Sequence, residues 1–442
     1  MAISVPNQLP SRPGGAALAP PGARPHSRFA MRRWIPDILT LGIILSALVL
    51  PWRVLRPPVA NITLSDVLLG ACTVALVLKG RLRVLMLGPY TSMWVLGLTT
   101  MLGALLFSSL YHGEFVRWPI VGSQYIFALV IVPMTFASFD SRVLHRCIIA
   151  FIIGVAISQI VGFYTLFHYD RTSLDTVMGN GYVTGNGRLG AMSGEPNPNG
   201  AQCAFALVMM VHAVIARRLH WGWALLMLGP IGWGLLASAS FTAFTAAALG
   251  LMCFLALSRL SNLIRFGMPL VLLVAAYASL GGPVPAIFEK RVGTALETGD
   301  ADKAGTFVGR AALIKEAWGL ADDNLIIGLG TDRYRKASAF AAPVHQLHLL
   351  VLNEGGIVAL LGLWLLLGAL VMTAIMILRE DPLDGGAALA QVGILLIYTT
   401  ALPHMYTRVW FEPMLIFLAF ALAHRSEWLE RQRFFDGALT RA

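Results

Sequence analysis

Apolar residues along this chain fall into uninterrupted runs of about 17 to 25, separated by polar breaks. At about 1.5 Å per helical residue, such a run crosses the roughly 30 Å of hydrocarbon in a bilayer. The breaks divide the chain into about twelve runs: 35–51, 62–78, 84–108, 120–138, 147–167, 199–216, 221–237, 240–257, 264–281, 349–378, 386–402 and 409–424. The pattern predicts an all-α polytopic membrane protein of about twelve transmembrane helices. No repeat period, heptad array or Gly-x-y tract is visible.

Most connections are short, so two long ones stand out as sites of function. The first covers 168–198. The second, between spans nine and ten, covers 282–344 and predicts a large loop on the outer side. Within it, Val308, Ala311, Ala312, Leu313, Ala317 and Trp318 recur at helical spacing over 306–320, which predicts an amphipathic helix on the outer headgroup layer. Asp322, Asp323 and Asn324 end it, and Gly328 and Gly330 mark a turn before Arg333, Arg335 and Lys336, which are expected to snorkel to headgroups. The expected organisation is a cytoplasmic disordered tail 1–33, spans one to nine over 34–281, the outer loop 282–344, spans ten to twelve over 345–426, and a cytoplasmic tail 427–442.

Composition agrees with the runs. Only 13% of residues are charged against 57% apolar, about half the charged share of a soluble domain. A soluble enzyme and a disordered chain are both excluded. The net charge of +10 acquires meaning from its distribution. One alternating set of loops and tails holds nineteen cations; the other holds fourteen, eight of them in the long segment 282–344. Long loops are discounted in the positive-inside rule, so both termini are expected in the cytoplasm and the basic charge is topological, with no nucleic-acid partner. Residues 1–30 lack an apolar run, and Arg32 and Arg33 precede a first span without a cleavage signal; Met31 is a second candidate start. Cys72, Cys147, Cys203 and Cys253 show no C-x-x-C spacing and no neighbouring His, so they read as core residues. The spans themselves are nearly free of charge, whereas transporters place ionisable groups at mid-membrane depth. Chemistry at the outer face is the better reading, with a transporter or flippase for lipid-linked sugars as the alternative class.

Several motifs then coincide. His345-Gln346, nine residues and Gly356 close the large outer loop. Gly309-Arg310 opens the helix carrying Trp318, and Ile327-Gly328-Leu329-Gly330 follows. In the other long loop, Arg188 leads to Pro196-Asn197-Pro198-Asn199. In order and placement this set resembles the bacterial O-antigen ligase and O-antigen (exopolysaccharide) polymerase superfamily, over about residues 35–425. The resemblance implies a GT-C-like glycosyltransferase architecture in the bacterial inner membrane, without cofactor or metal. It implies inverting transfer of glycan from a polyprenyl (undecaprenyl) diphosphate donor to a sugar hydroxyl on the periplasmic side. The acceptor would be a growing glycan, in a polymerase, or lipid A core, in a ligase. Chain-length regulators or other polysaccharide-assembly proteins are the implied protein partners. The family often has Ser-Arg at the outer start of span eight, where this chain reads Ser238-Ala239-Ser240. That absence favours polymerase.

Such a reaction needs a base for the acceptor hydroxyl and cations for the leaving diphosphate. A histidine near its ordinary pKa of about 6.5 supplies the first, and arginine, permanently charged and bidentate, the second. His345 is the candidate catalytic base, and Arg310 and Arg188 are the candidate diphosphate ligands. His348, about 60° round the helix from His345, Glu195 and Arg291 are accessory candidates. Asn197 and Asn199 are expected to make a turn and an N-cap, Glu354 to face away from His345, Gly355-Gly356 to permit close packing, and the run Gly179 to Gly187 to be a mobile loop.

Overall fold

The computed structural model describes residues 37–56, 61–282, 284–294, 297, 307–404 and 406–439. The expected tail 1–33, Met31 and loop residues 298–306 lie outside the described residues, as does the side chain of Arg291. Among the described residues the chain is helical, without a strand. The named helices are α1 (Ile38–Val49), α2 (Leu64–Leu78), α3 (Thr91–Tyr111), α4 (Arg117–Ala137), α5 (Ser141–His168), α6 (Arg171–Met178), α7 (Pro196–Ile215), α8 (Trp221–Ala237) and α9 (Phe241–Ser258). They continue with α10 (260–279), α11 (Phe307–Asp323), α12 (Leu347–Glu380), α13 (Pro382–Thr399) and α14 (Glu412–Leu439).

Each apolar run of the sequence carries a helix. Seven, counting α3 with its leading turn from Gly88, are long and apolar enough to cross a membrane: α3, α4, α5, α7, α9, α12 and α13. The apolar helices α1, α2 and α8 are shorter, with 12, 15 and 17 residues. Bulky apolar side chains point outward from the helices, among them Val67, Val74, Leu226 and Leu272, all more than half exposed. A surface of this kind is the lipid-facing coat of a membrane protein.

Small residues set the closest crossings. A Cβ on Gly97 of α3 would lie 2.7 Å from the carbonyl oxygen of Gly362 on α12, and one on Gly154 of α5 only 2.0 Å from that of Leu48 on α1. Backbones can approach so closely only where side chains are missing. Helix α4 contains a π-turn at Phe127–Ile131, where Trp94 Nε1 donates to the Leu129 carbonyl at 2.7 Å. The buried indole N–H and the loosened turn thus satisfy one another.

Helix α12 is broken inside. Gly356 has φ 71° and ψ −172°, a conformation essentially confined to glycine. The break frees backbone groups that the segment 325–330 takes up: Leu329 N–H donates to the Asn353 carbonyl at 2.7 Å, Gly330 N–H to that of Glu354 at 2.9 Å, and Ile357 N–H to that of Leu325 at 2.8 Å. The turn at Gly328 and Gly330 therefore tucks into the side of α12, and a Cβ on Gly328 would lie 2.6 Å from the Glu354 carbonyl. His112 at the end of α3 bonds the Gly328 carbonyl at 2.9 Å, and Ser109 bonds Thr331 at 3.0 Å.

Ion pairs sort the loops into two ends of the bundle. Arg53–Glu195, Arg117–Asp332, Arg333–Glu114, Lys336–Glu114 and Arg408–Asp66 gather at the end carrying the long loops. At the opposite end, His212 and His424 each bond Asp384, and Arg425 pairs with Glu380.

Four expectations are corrected. Arg333 and Lys336 pair with Glu114, and Arg335 Nε donates to the Ala341 carbonyl, so loop contacts hold them in place of headgroups. In α11 the buried face is Ala317 and Ala321, with Ile314 and Leu320 packed behind them, while Ala311, Ala312 and Trp318 are exposed. That face is chosen by α12, whose Asn353 Nδ2 donates to the Ala317 carbonyl. The run Gly179 to Gly187 is folded: Gly190 N–H donates to the Tyr182 carbonyl, Leu189 N–H to that of Ala237, and buried Tyr182 bonds Thr165. The N-cap of α7 is Glu195, with Pro196 in the first helical position. Asn199, one turn further, is buried and bonded to Gln159 and to the Leu189 carbonyl.

Candidate functional site

The site is built where α12 begins. Gln346 is its N-cap, with Oε1 accepting from the Leu349 N–H at 2.5 Å, which satisfies an otherwise orphaned amide. Val344 is fully buried on one side of the extended lead-in, and the next residue, His345, is half-buried. No hydrogen bond ties its ring among the described residues. Burial, and then the like charge of Arg310 in the first turn of α11, lower its pKa from the ordinary 6.5; Glu195 acts in the opposite sense. His345, Arg310 and Glu195, widely separated in sequence, are thus within electrostatic reach of one another.

His348 differs. Its Nε2 is bonded to Thr399 Oγ1 at 3.1 Å and its Nδ1 accepts from Trp364 Nε1 at 3.2 Å. An imidazole occupied on both nitrogens, one of them as acceptor, is neutral and held, and it is not free to take a proton from a substrate.

Arg188 is oriented by two bonds: Nε to the Ser238 carbonyl at 2.8 Å and Nη2 to Asn197 Oδ1 at 2.7 Å. It also lies within electrostatic reach of Tyr398, the neighbour of the Thr399 that binds His348. The end of α13 at Tyr398 and Thr399 is therefore a common neighbour of Arg188 and the start of α12. Glu195 pairs with Arg53 Nη1 at 3.1 Å.

Further cations arrive from loops whose role the linear pattern does not reveal. Arg56 donates to Asn61 Oδ1, and burial together with the charge of Arg53 lowers its pKa. Arg408, buried between α13 and α14, donates to both oxygens of Asp66 and to the Asn61 carbonyl. His404 in the same loop feels the charges of His345, Asp332 and Arg117, and burial takes its pKa down to about 4. The signal available in the sequence was the placement of Arg53, Arg56 and Arg408 in short connections that alternate to the same end of the bundle as the two long loops, a set the positive-inside bias leaves poor in cations. Glu354 is buried beside the re-entrant turn, within electrostatic reach of the backbone N–H groups of Asp332 and Tyr334.

The arrangement can accept a proton at His345 and hold a phosphate-bearing anion with arginine, since guanidinium groups bind phosphate oxygens without losing charge. For a metal, one group of side chains is close enough among the described residues: Asp381, Asp384 and His424, with ligand atoms within 4.8 Å. It lies at the opposite end of the bundle. Its Asp384 oxygens already bond His212 at 2.8 Å and His424 at 2.7 Å, and Asp381 caps α13. Compared with known proteins, the chain matches no family profile and no curated relative.

Proposed function

We propose that the protein is a membrane glycosyltransferase of the O-antigen ligase and polymerase kind, which it resembles in its motifs, with about twelve spans and both termini in the cytoplasm. It moves glycan from a polyprenyl-diphosphate donor to a sugar hydroxyl at the periplasmic face of the inner membrane. The observation that carries the reading is that His345, half-buried before the first turn of α12 and without a hydrogen bond among the described residues, feels the charges of Arg310 and Glu195. As the acceptor oxygen bonds to the anomeric carbon, His345 takes its proton, the bond from that carbon to phosphate oxygen breaks, and the diphosphate leaves toward arginine. A single displacement inverts the anomeric centre.

A groove of about 780 Å³ between α5 and α8, lined by Ile153, Ile160, Phe163, Leu226, Pro230 and Trp233, suits the polyprenyl tail. Phe163 and Trp233 meet at its outer end, and Trp233 packs on the Leu189 and Tyr182 cluster beside Arg188. A tail in this groove would bring its diphosphate to Arg188. That arginine binds the Ser238 carbonyl, which supplies from the loop a cation where the sequence lacks the family's Ser-Arg. The sequence ground for polymerase is thereby offset, and the product decides between polymerase and ligase. The assay is incubation of the nanodisc-embedded protein with a polyprenyl-diphosphate-linked repeat unit. A ladder of longer lipid-linked glycans is the expected result. Transfer only to added lipid A core means ligase, and no transfer to either acceptor overturns the reading in favour of the transporter class.

The pH dependence follows from the site. The base must be neutral, and its pKa is lowered by burial and by Arg310. Rate should therefore persist as pH falls to 6.5 and decline only below it. Arg310→Gln removes the like charge and should move the acid limb upward in pH, whatever it does to the maximal rate. Glu195→Gln should move it downward. An acid limb unchanged in both variants, measured as kcat/KM against pH, would count against His345 as the base.

A further inference from the structure

The end of the bundle opposite the candidate site holds a cavity of about 440 Å³. It opens where the α7–α8 connection, the α9–α10 junction and the α12–α13 corner meet. Arg217, Arg259 and Arg265 line it, all three exposed. Two neighbouring cations at this end are engaged. Arg425 makes two bonds of 2.6 Å to Glu380, and Arg218 bonds His424 at 3.1 Å and sits over the Phe420 ring. No carboxylate lies within ion-pair distance of Arg217, Arg259 or Arg265 among the described residues; the one contact of their guanidinium groups is Arg265 over the Phe266 ring at 5.8 Å. Arg217 is held at φ 55°, a left-handed conformation that side-chain-bearing residues rarely adopt.

The remaining wall has two characters. Ser258 and Asn262 bond each other at 3.1 Å on one side. Val214, Ile215, Phe266 and Leu383 form the rest. Asp381 also faces the cavity, but its Oδ1 accepts the Leu383 and Asp384 N–H groups at 2.9 and 3.2 Å, so its charge is directed at the start of α13, where a helix favours it. Three unpaired guanidinium groups converging on one cavity call for a phosphate anion. The apolar wall beside them, at the end of a helix bundle, calls for that phosphate to be attached to acyl chains, because a free ion gains nothing from Phe266 or Ile215. Basic pockets between helices on the cytoplasmic side are where anionic headgroups bind.

We infer that this cavity binds the phosphate headgroup of an anionic phospholipid, held by Arg217, Arg259 and Arg265 and seated against Phe266, Ile215 and Leu383. The inference uses none of the residues of the candidate transferase site. The orientation proposed above enters only in naming the inner leaflet as the source.

The test is native mass spectrometry of the full chain in detergent, titrated with phosphatidylglycerol, phosphatidylcholine and inorganic phosphate. The parent protein should retain one phosphatidylglycerol in preference to phosphatidylcholine. The triple variant Arg217→Gln, Arg259→Gln, Arg265→Gln should lose at least tenfold in affinity. Arg142→Gln with Arg146→Gln, two exposed arginines at the same end outside the cavity, should leave affinity unchanged. If the triple variant does not fold, each single variant is read instead, with a loss of about threefold expected. Equal weakening by the Arg142 and Arg146 pair would overturn the inference in favour of diffuse surface charge. Competition by inorganic phosphate at the lipid's own affinity would overturn the lipid assignment, and unchanged affinity in the cavity variants would overturn the site.

Discussion

Replacement of His345 by alanine is expected to lower glycan transfer by about 10²- to 10⁴-fold, the usual worth of a positioned general base, without loss of folded protein. The side chain is half-buried and makes no hydrogen bond among the described residues, so its removal strips no partner and leaves no buried donor stranded. His348→Gln should behave in the opposite way. It cuts a bond from α12 to Thr399 of α13 and another, across the break in α12, to Trp364, so it should lower thermal stability in detergent while turnover per folded molecule changes by less than about tenfold, below the usual worth of a base. Measuring both variants for turnover and melting temperature separates the two histidines. A His345→Ala protein that transfers at the parental rate would remove it from the mechanism, and a His348→Gln protein as inactive as His345→Ala would move the base one turn along the helix.

The second large effect is structural. At Gly356 an added Cβ would lie 2.2 Å from the carbonyl oxygen of Ile326 and 2.6 Å from its carbon, and both are backbone atoms that cannot rotate away. The left-handed φ of 71° compounds the clash. Gly356→Ala should therefore cost at least about 3 kcal/mol, from strain at a glycine-only conformation together with the backbone bonds of the 325–330 turn that it breaks. It should register as a lowered melting temperature and as protease cleavage between Leu325 and Thr331. Gly103→Ala is the matched control, because nothing lies within 4 Å of a Cβ there and alanine is the better helix former. Its melting temperature should equal or exceed that of the parent. A Gly356→Ala protein as stable as Gly103→Ala would mean that the break in α12 is dispensable.

These two residues show how far a linear reading reaches. His345 and Gly356 are legible as a spaced pair, but the spacing says nothing of what the glycine does. Close helix packing was the expectation, and Gly355 and Gly356 do lie in a crowded place. The particular crowding is a re-entrant turn donating amides to the open carbonyls of Asn353 and Glu354, a tertiary event without any periodic signature. Gln346 likewise reads as a motif letter, and the fold makes it an N-cap.

The helices were legible because hydrophobic length is a local property. A run of about twenty apolar residues has no soluble alternative, since its amides must be satisfied within the segment and its side chains must meet lipid or protein. The alternation of loops between the two ends follows from the same count of helices, and the ion pairs at each end join loops of one alternating set. Contacts between distant segments follow no such local rule. That Glu195 would meet Arg53 and come within reach of His345, that Arg188 would lean on Ser238, and that Arg217, Arg259 and Arg265 would converge on one cavity depend on how the helices pack. That packing is set by close approaches such as Gly97 on Gly362 and Gly154 on Leu48. Local composition thus decided which segments are helices and which end of the bundle each loop occupies. Long-range packing alone decided which of the polar groups at each end face one another, because the free energy of an interhelical contact depends on two surfaces and neither is encoded in the other's neighbourhood.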